Sequence, residues 1–133
     1  MGTDISIYGE VRKGSNSDWF FVELHNDYFG RHYEIYAALA NVRGRGGLDP
    51  KGLPEDVGEA ILNILSEFGY YSHSETYFDV FEFEVIVKKY EHNHLYLEIV
   101  NRLKQSIDDA DIDNILLDTG QKAEGRFIII FDS

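Results

Sequence analysis

The strongest constraint on the fold is a nearly unbroken apolar run close to the C-terminus, Arg126-Phe127-Ile128-Ile129-Ile130-Phe131. Successive side chains of a β-strand point to opposite faces of the sheet. A strand that is apolar at almost every position therefore has no face suited to water. The run predicts a central strand whose two faces are both covered by other parts of the chain.

The N-terminal residues predict a β-hairpin. In residues 4–12, Ile5, Ile7 and Val11 alternate with more polar neighbours, as in a half-buried strand. The cluster Gly14-Ser15-Asn16-Ser17-Asp18 has turn composition. Residues 19–24 then supply the second strand.

Three segments have helical patterns. In residues 31–43 the apolar positions keep helical spacing, and Gly44 ends the pattern. Residues 54–68 begin with a proline followed by acids, which suits the first turn of a helix, and stop at Gly69. Residues 95–103 form an amphipathic helix. Gly44 to Gly52 is predicted to be a flexible glycine-rich loop.

The remaining segments are less regular. Residues 70–77 are predicted to be an aromatic, hydroxyl-rich loop, and residues 106–114 an acidic connector. Residues 79–90 fit two alternatives. Alternation of Phe81, Phe83, Val85 and Val87 indicates a strand, whereas Asp79 is equally suited to cap a helix.

These elements indicate an α+β fold in a single domain, residues 1–133. The N-terminal hairpin and the C-terminal strand are expected in one antiparallel or mixed sheet packed by three or four helices. A chain of 133 residues that is 44% hydrophobic can bury a substantial core. No repeat, low-complexity tract or linker divides it.

Composition narrows the classes of function. The chain has no cysteine, which excludes a disulfide framework and a thiolate zinc site, and fits a reducing cytoplasm. A formal net charge of −12 repels phosphate backbones, so we expect no direct nucleic-acid binding. The sequence lacks a run of about 18 apolar residues, so we expect no membrane partner.

Motifs for catalysis and metal binding are incomplete. The stretch Asp109-Ala110-Asp111-Ile112-Asp113 lacks the glycine and glutamate of an EF-hand, and His92 and His94 have no evident third ligand. Ser72-His73-Ser74-Glu75 places suitable residue types together, but sequence neighbours point in different directions. We therefore predict no catalytic residue, no metal and no cofactor.

The scarce positive charge suggests a site for an anionic ligand. Residues 31–51 contain four basic and two acidic residues, whereas residues 52–87 contain eight acids and no lysine or arginine. In Arg43-Gly44-Arg45-Gly46-Gly47, glycines allow main-chain N–H groups to converge on an anion, and arginines add paired donors. With neighbouring aromatic and polar residues, the predicted ligand-binding set is Arg31, Tyr33, Asn41, Arg43, Arg45, Tyr71, His73 and Ser74.

Several short segments resemble a family of small uncharacterised proteins of phages and prophages. They are Met1-Gly2-Thr3-Asp4-Ile5, residues 31–43 with Ala37-Ala38-Leu39-Ala40-Asn41-Val42-Arg43, Gly52-Leu53-Pro54-Glu55-Asp56-Val57, His73-Ser74, and residues 126–132. The resemblance implies a protein that counteracts host antiviral defence in the cytoplasm of an infected bacterium.

Two binding mechanisms and one enzymatic mechanism are compatible with that role. In the first, a homo-oligomer sequesters a nucleotide-derived signal, with arginines on phosphate and a tyrosine on the base. In the second, an acidic surface covers the basic channel of a host defence protein that binds nucleic acid; its acids are Glu82, Glu84, Asp108, Asp109, Asp111 and Asp113. The third is a small nucleotide hydrolase. Because the polar residues of the recognisable motifs are arginine, asparagine, histidine and serine rather than acids, we favour the first.

Overall fold

The computed structural model describes residues 2–24, 30–44 and 46–133. Within them, four antiparallel strands form one sheet with the order β2-β1-β4-β3. The strands are β1 Asp4–Arg12, β2 Phe20–Val22, β3 Ser72–Asp79 and β4 Glu124–Asp132. The helices are α1 Tyr33–Ala40, α2 Glu59–Phe68, α3 Val80–Val87 and α4 His94–Leu116. The expected α+β fold is confirmed.

The C-terminal apolar run lies in the middle of this sheet, as its composition predicts. β4 pairs with β1 on one side and with β3 on the other, and residues 127–131 are all fully buried. Phe127, Ile129 and Phe131 join the main hydrophobic core. Ile128 and Ile130 point to the opposite face, which must therefore be covered as well.

The main core lies between one face of the sheet and three helices. α1, α3 and α4 contribute its large buried side chains, namely Ile35, Tyr36, Leu39, Phe83, Val87, Tyr96, Ile99, Val100 and Leu103. Burial of this much apolar surface is the dominant force holding α1, α3 and α4 to the sheet.

The opposite face carries Glu10 of β1 and is covered by α2 and the segment before it. The backbone N–H of Gly58, at the start of α2, donates to the Glu10 carboxylate at 2.8 Å. Ile61 of α2 is fully buried. Burial raises the pKa of Tyr8 on this face, and the carboxylates of Asp132 and Glu67 raise it further. α2 therefore covers the face of the sheet that is remote from α1, α3 and α4.

Two predicted helices are shorter than expected. α1 ends at Ala40 rather than at residue 43, because Asn41 adopts a left-handed conformation with φ 51° and donates its N–H to Ala37. α2 begins at Glu59 rather than at residue 54. The intervening residues form a turn, closed by a hydrogen bond from Val57 to Pro54, that places Asp56 and Gly58 against the sheet.

The loop prediction for residues 70–77 is wrong. A short 3-10 turn, Gly69–Tyr71, is followed by β3, whose pairing with β4 supplies the backbone with hydrogen-bond partners. The pairing register shifts between His73 and Thr76, so β3 contains a β-bulge. Of the two alternatives for residues 79–90, the helix is correct: Asp79 and Glu82 form a complete capping box at the start of α3.

The acidic connector expected at residues 106–114 is also wrong, because α4 continues through it. Ala110 is buried, and the Asn114 side chain donates to the carbonyl of Lys13 at 2.8 Å. These contacts hold an acidic segment in a helix. Within the described part of the chain, no helix has both the length and the apolar character needed to cross a membrane.

Candidate functional site

Most of the sequence-predicted ligand-binding residues meet at one end of the sheet. There the first residues of β1, the last of β4 and the first of β3 lie side by side, with Asp4 opposite Asp132 and His73 opposite Phe131. The start of α1 and the turn after it complete the site. We refer to this group as the sheet-end cluster; it comprises Thr3, Asp4, Arg31, Tyr33, Arg43, His73, Ser74, Asp132 and Ser133.

Tyr33 lies between the N-terminal segment and Arg43. Its hydroxyl accepts hydrogen bonds from the Thr3 backbone N–H at 3.2 Å and from Nη2 of Arg43 at 3.3 Å. The Arg43 guanidinium also lies 4.2 Å from the centre of the Tyr33 ring, within the range of a cation–π interaction. The Arg43 side chain is thereby directed toward the sheet end, although its residue lies in the loop after α1.

Arg31 is held by a carboxylate at the start of β1. Its Nε donates to Oδ1 of Asp4 at 3.1 Å, and both side chains remain well exposed. A side chain added at Gly2 would collide with the Arg31 guanidinium, so the chain approaches this arginine closely. An exposed ion pair of this kind is weak and can exchange with another anion.

His73 is the centre of a chain of hydroxyl groups. Its Nδ1 lies 3.0 Å from Oγ of Ser74, and its Nε2 lies 2.7 Å from Oγ of Ser133. The Ser133 hydroxyl in turn lies 2.9 Å from Oγ1 of Thr3. A neutral imidazole has one donor and one acceptor nitrogen, and a hydroxyl group can both donate and accept. The hydrogen bonds of this series can therefore run in either direction, so that its hydroxyl groups can donate to a ligand or accept from it.

The site also contains two carboxylates on adjacent strands. Burial raises the pKa of Asp132, the Asp4 carboxylate raises it further, and His73 and Arg31 act in the opposite direction. The cluster is thus polar and of mixed sign, not simply cationic. It offers acceptors for N–H and O–H groups beside donors for an anion.

Two residues of the sheet-end cluster have unusual backbone conformations. Arg43 and Ser74 have φ values of 66° and 56°, a region that non-glycine residues seldom occupy. Each such residue costs about 1 kcal/mol or more, and strain of this kind is concentrated at functional sites. Ser74 also lies in the β-bulge of β3, a device that redirects side chains.

Of the described residues in the predicted set, Asn41 and Tyr71 lie outside this arrangement or at its margin. Asn41 organises the loop after α1: its Oδ1 accepts the N–H of Gly46 at 3.0 Å, and its Nδ2 lies 3.4 Å from Asp49. The backbone carbonyl of Tyr71 accepts the N–H of Ser133 at the edge of the site, and Tyr71 as a whole is 68% exposed. Arg45 lies outside the described residues.

Sequence reasoning missed a second polar centre, on the α2 side of the sheet. Glu10 is 1% exposed and accepts hydrogen bonds from Nε and Nη2 of Arg126 at 3.0 and 2.8 Å. Arg126 also donates to Asp56 at 2.8 Å and lies 3.9 Å from the centre of the Trp19 ring. Hydrogen bonds from Arg126 and Trp19 lower the pKa of Asp56.

This second centre borders an open cleft of about 660 Å³, lined by Lys51, Leu53, Pro54, Glu55, Asp56, Tyr77 and Arg126. The carboxylates of Glu10 and Asp56 already occupy the guanidinium of Arg126. We therefore assign the centre a structural role. The sequence feature that points to this centre is Arg126, the charged residue directly before the apolar run of β4.

Histidines gather at another place on the surface. The rings of His32 and His92 are stacked with their centres 6.1 Å apart, and Nδ1 of His32 lies 3.2 Å from the hydroxyl of Tyr96. Burial lowers the pKa of His32, and His92 lowers it further. No group of three or more metal-binding side chains in residues 2–24, 30–44 and 46–133 has an arrangement suited to a metal ion.

Comparison with known proteins identifies no relative. No family model matches the chain, and no curated protein or solved structure shows significant similarity to it.

Proposed function

We propose that this protein is a phage-type, non-catalytic binding protein that holds a nucleotide-derived signal at the sheet-end cluster. By sequestering that signal as a homo-oligomer in the cytoplasm of an infected bacterium, it would counteract host antiviral defence. The single observation that supports ligand binding here is that Arg43 binds Tyr33, Arg31 binds Asp4 and His73 binds Ser133 at one end of the sheet. Thr3 connects these contacts, because it is hydrogen-bonded to both Tyr33 and Ser133.

The two arginines are suited to the phosphate. Arg31 is paired with an exposed carboxylate, so a phosphate can replace Asp4 on its guanidinium and form two parallel hydrogen bonds. Arg43 is exposed and held over Tyr33. Because each arginine is already oriented, less side-chain entropy is lost when the anion binds.

The rest of the cluster is suited to a nucleoside better than to a bare phosphate. Asp4 and Asp132 repel a free anion but accept hydrogen bonds from ribose hydroxyls or from N–H groups of a base. The exposed ring of Tyr71 offers a surface on which a base can stack. His73 and Ser74 add hydroxyl and imidazole groups that can read polar edges of the ligand.

Isothermal titration of the pure protein with a panel of cyclic and linear nucleotides tests this proposal. We expect at least one nucleotide to bind with a Kd of about 10 µM or tighter, and inorganic phosphate to bind far more weakly. The variants Arg43→Ala and His73→Gln should each weaken binding at least about tenfold, or about 1.4 kcal/mol. Lys122→Ala, which removes an exposed cation outside the cluster, should not change it.

Three results would contradict the proposal. One is the absence of any binding tighter than millimolar, and another is equal affinity in the cluster variants and the Lys122→Ala control. The third is conversion of an incubated nucleotide to a product, which chromatography would detect. That result would favour the alternative, in which the same site belongs to a small nucleotide hydrolase.

The second candidate is an acidic inhibitor of a nucleic-acid-binding defence protein. It is favoured by the internal pairing of positive charge: each of the five described arginines is bound to another part of the chain. The formal net charge of −12 leaves an excess of carboxylates that are not balanced by these arginines. Such an inhibitor would capture a basic partner equally well with or without Arg43, which distinguishes it from the nucleotide binder.

At least three of the six acids expected to mimic nucleic acid nevertheless already bind other parts of the chain. Glu84 binds Lys88 and Lys104, Glu82 caps α3, and Asp111 accepts the N–H of Ala123. We therefore rank nucleotide sequestration first.

A further inference from the structure

The end of α4 exposes a group of large apolar side chains. Ile112, Ile115, Leu116 and Leu117 are 52%, 76%, 76% and 67% exposed, and we refer to them as the α4 apolar patch. Ile112, Ile115 and Leu116 have the i, i+3, i+4 spacing that places side chains on one face of a helix. Scattered apolar residues are normal on a surface, but a contiguous group at one helix end indicates a binding surface.

The patch lies away from the face of α4 that packs into the protein. In the first half of the helix Tyr96, Ile99, Val100 and Leu103 are buried in the core. In the second half the buried residues are Ala110 and Asn114. At 100° per residue Ile112 lies opposite Leu103, so Ile112, Ile115 and Leu116 face outward and add nothing to the core.

The surroundings of the patch are strongly negative. Asp108, Asp109, Asp111 and Asp113 occupy the last turns of α4, and the final turn contains no basic residue. The carboxyl end of a helix already carries partial negative charge, so these acids are placed unfavourably. Lys13 gives only limited compensation, because it lies 3.8 Å from Asp113 and both side chains are well exposed.

We infer that the α4 apolar patch binds a basic amphipathic helix of a partner protein. Leucine-type residues of that helix would cover the patch, while its lysines and arginines would neutralise the surrounding aspartates and the helix end. A second copy of this chain would bring the same aspartates into the interface, and an anionic membrane would be repelled by them. The inference concerns a surface distinct from the sheet-end cluster and does not rest on nucleotide binding.

The test uses a synthetic helix of leucine and lysine, about 18 residues long, titrated into the protein. One control peptide keeps the leucines but replaces lysine by glutamate, and another keeps the lysines but replaces leucine by serine. We expect the leucine–lysine helix to bind at least about tenfold tighter than either control. Binding should weaken as the salt concentration rises.

A triple variant, Ile112→Gln, Ile115→Gln and Leu116→Gln, should lose at least about tenfold in affinity. Glutamine retains helix propensity, so the variant is expected to fold, and thermal unfolding verifies this. Leu62→Gln is the matched control: Leu62 is also exposed and apolar, but it lies on α2 at the other face of the sheet. Nucleotide binding by the triple variant should be unchanged, which separates the two proposals.

Several results would overturn the inference. These are unchanged affinity in the triple variant, equal loss in the Leu62→Gln control, or equally tight binding of the leucine–glutamate helix. A dimer of the wild-type protein that the triple variant abolishes would identify a second copy as the occupant. Patch-dependent binding to vesicles of phosphatidylserine and phosphatidylcholine would identify a membrane instead.

Discussion

Arg126 and Glu10 are directly opposite each other on β4 and β1, and the guanidinium donates two hydrogen bonds to one carboxylate oxygen. The second oxygen of Glu10 accepts the N–H of Gly58. A single buried carboxylate thus joins the two central strands to the start of α2. The pairing also explains why the sheet tolerates charged residues on the face opposite the main core.

Replacing Glu10 by Gln should destabilise the protein by about 3 kcal/mol, because it leaves the buried Arg126 without its principal counter-charge. Urea unfolding followed by circular dichroism measures the change. Glu59→Gln, at an exposed position of α2, is the control and should change the unfolding free energy by less than about 0.5 kcal/mol. Equal stability of the two variants would show that the ion pair has no structural role.

Gly47 should tolerate alanine much less well than Gly52. Both have positive φ, at 103° and 78°, but a Cβ at Gly47 would strike the carbonyl of Ala37 in α1, whereas that of Gly52 would enter open space. We expect Gly52→Ala to cost about 1 kcal/mol and Gly47→Ala at least about 2 kcal/mol more. Similar denaturation midpoints for the two variants would mean that the loop does not pack on α1 as described.

Removal of the N-terminal cap of α3 should destabilise the protein moderately, and mainly within α3. Asp79 accepts the N–H of Glu82 at 2.8 Å, and the Glu82 side chain reciprocates. Asp79→Ala should therefore lower the unfolding free energy by about 1 kcal/mol. The exposed acid Glu91 provides the comparison, and Glu91→Ala should have little effect. Hydrogen exchange should show faster opening of α3 in the Asp79 variant only.

The histidine pair should make stability depend on pH. Burial and the proximity of His92 lower the pKa of His32 in the folded protein, so the unfolded chain binds protons more readily. The contribution of neutral His32 to the free energy of unfolding is therefore complete above the ordinary histidine pKa of about 6.5. It is lost as the pH falls below that value.

Urea unfolding at about pH 7.5 and about pH 5.5 tests this dependence. The wild-type protein should lose more stability on acidification than the variant His32→Gln, which keeps a hydrogen-bonding group toward Tyr96. Glu34 acts against the shift and is present in both proteins, so it does not affect the comparison. Parallel pH dependence of the two proteins would contradict the assignment.

Local sequence determined those parts of the fold whose signal is contained in one segment. Burial on both faces of β4 follows from an apolar run without polar alternation, and the hairpin follows from two short patterns around a turn. In contrast, the aromatic segment after Gly69 becomes a strand only because the edge of β4 supplies its backbone partners. The acidic end of α4 stays helical because Ala110 and Asn114 reach the sheet and the hairpin.

For the sheet-end cluster, composition singled out Arg31, Arg43 and His73, but it could not place them together. Their proximity results from the antiparallel order of β1, β4 and β3, which brings residues 4, 73 and 132 to one end of the sheet. The partners Glu10 and Arg126 are 116 positions apart, and only strand register places them opposite each other. Residue types are read from the chain, whereas contacts between distant segments depend on packing of the whole fold.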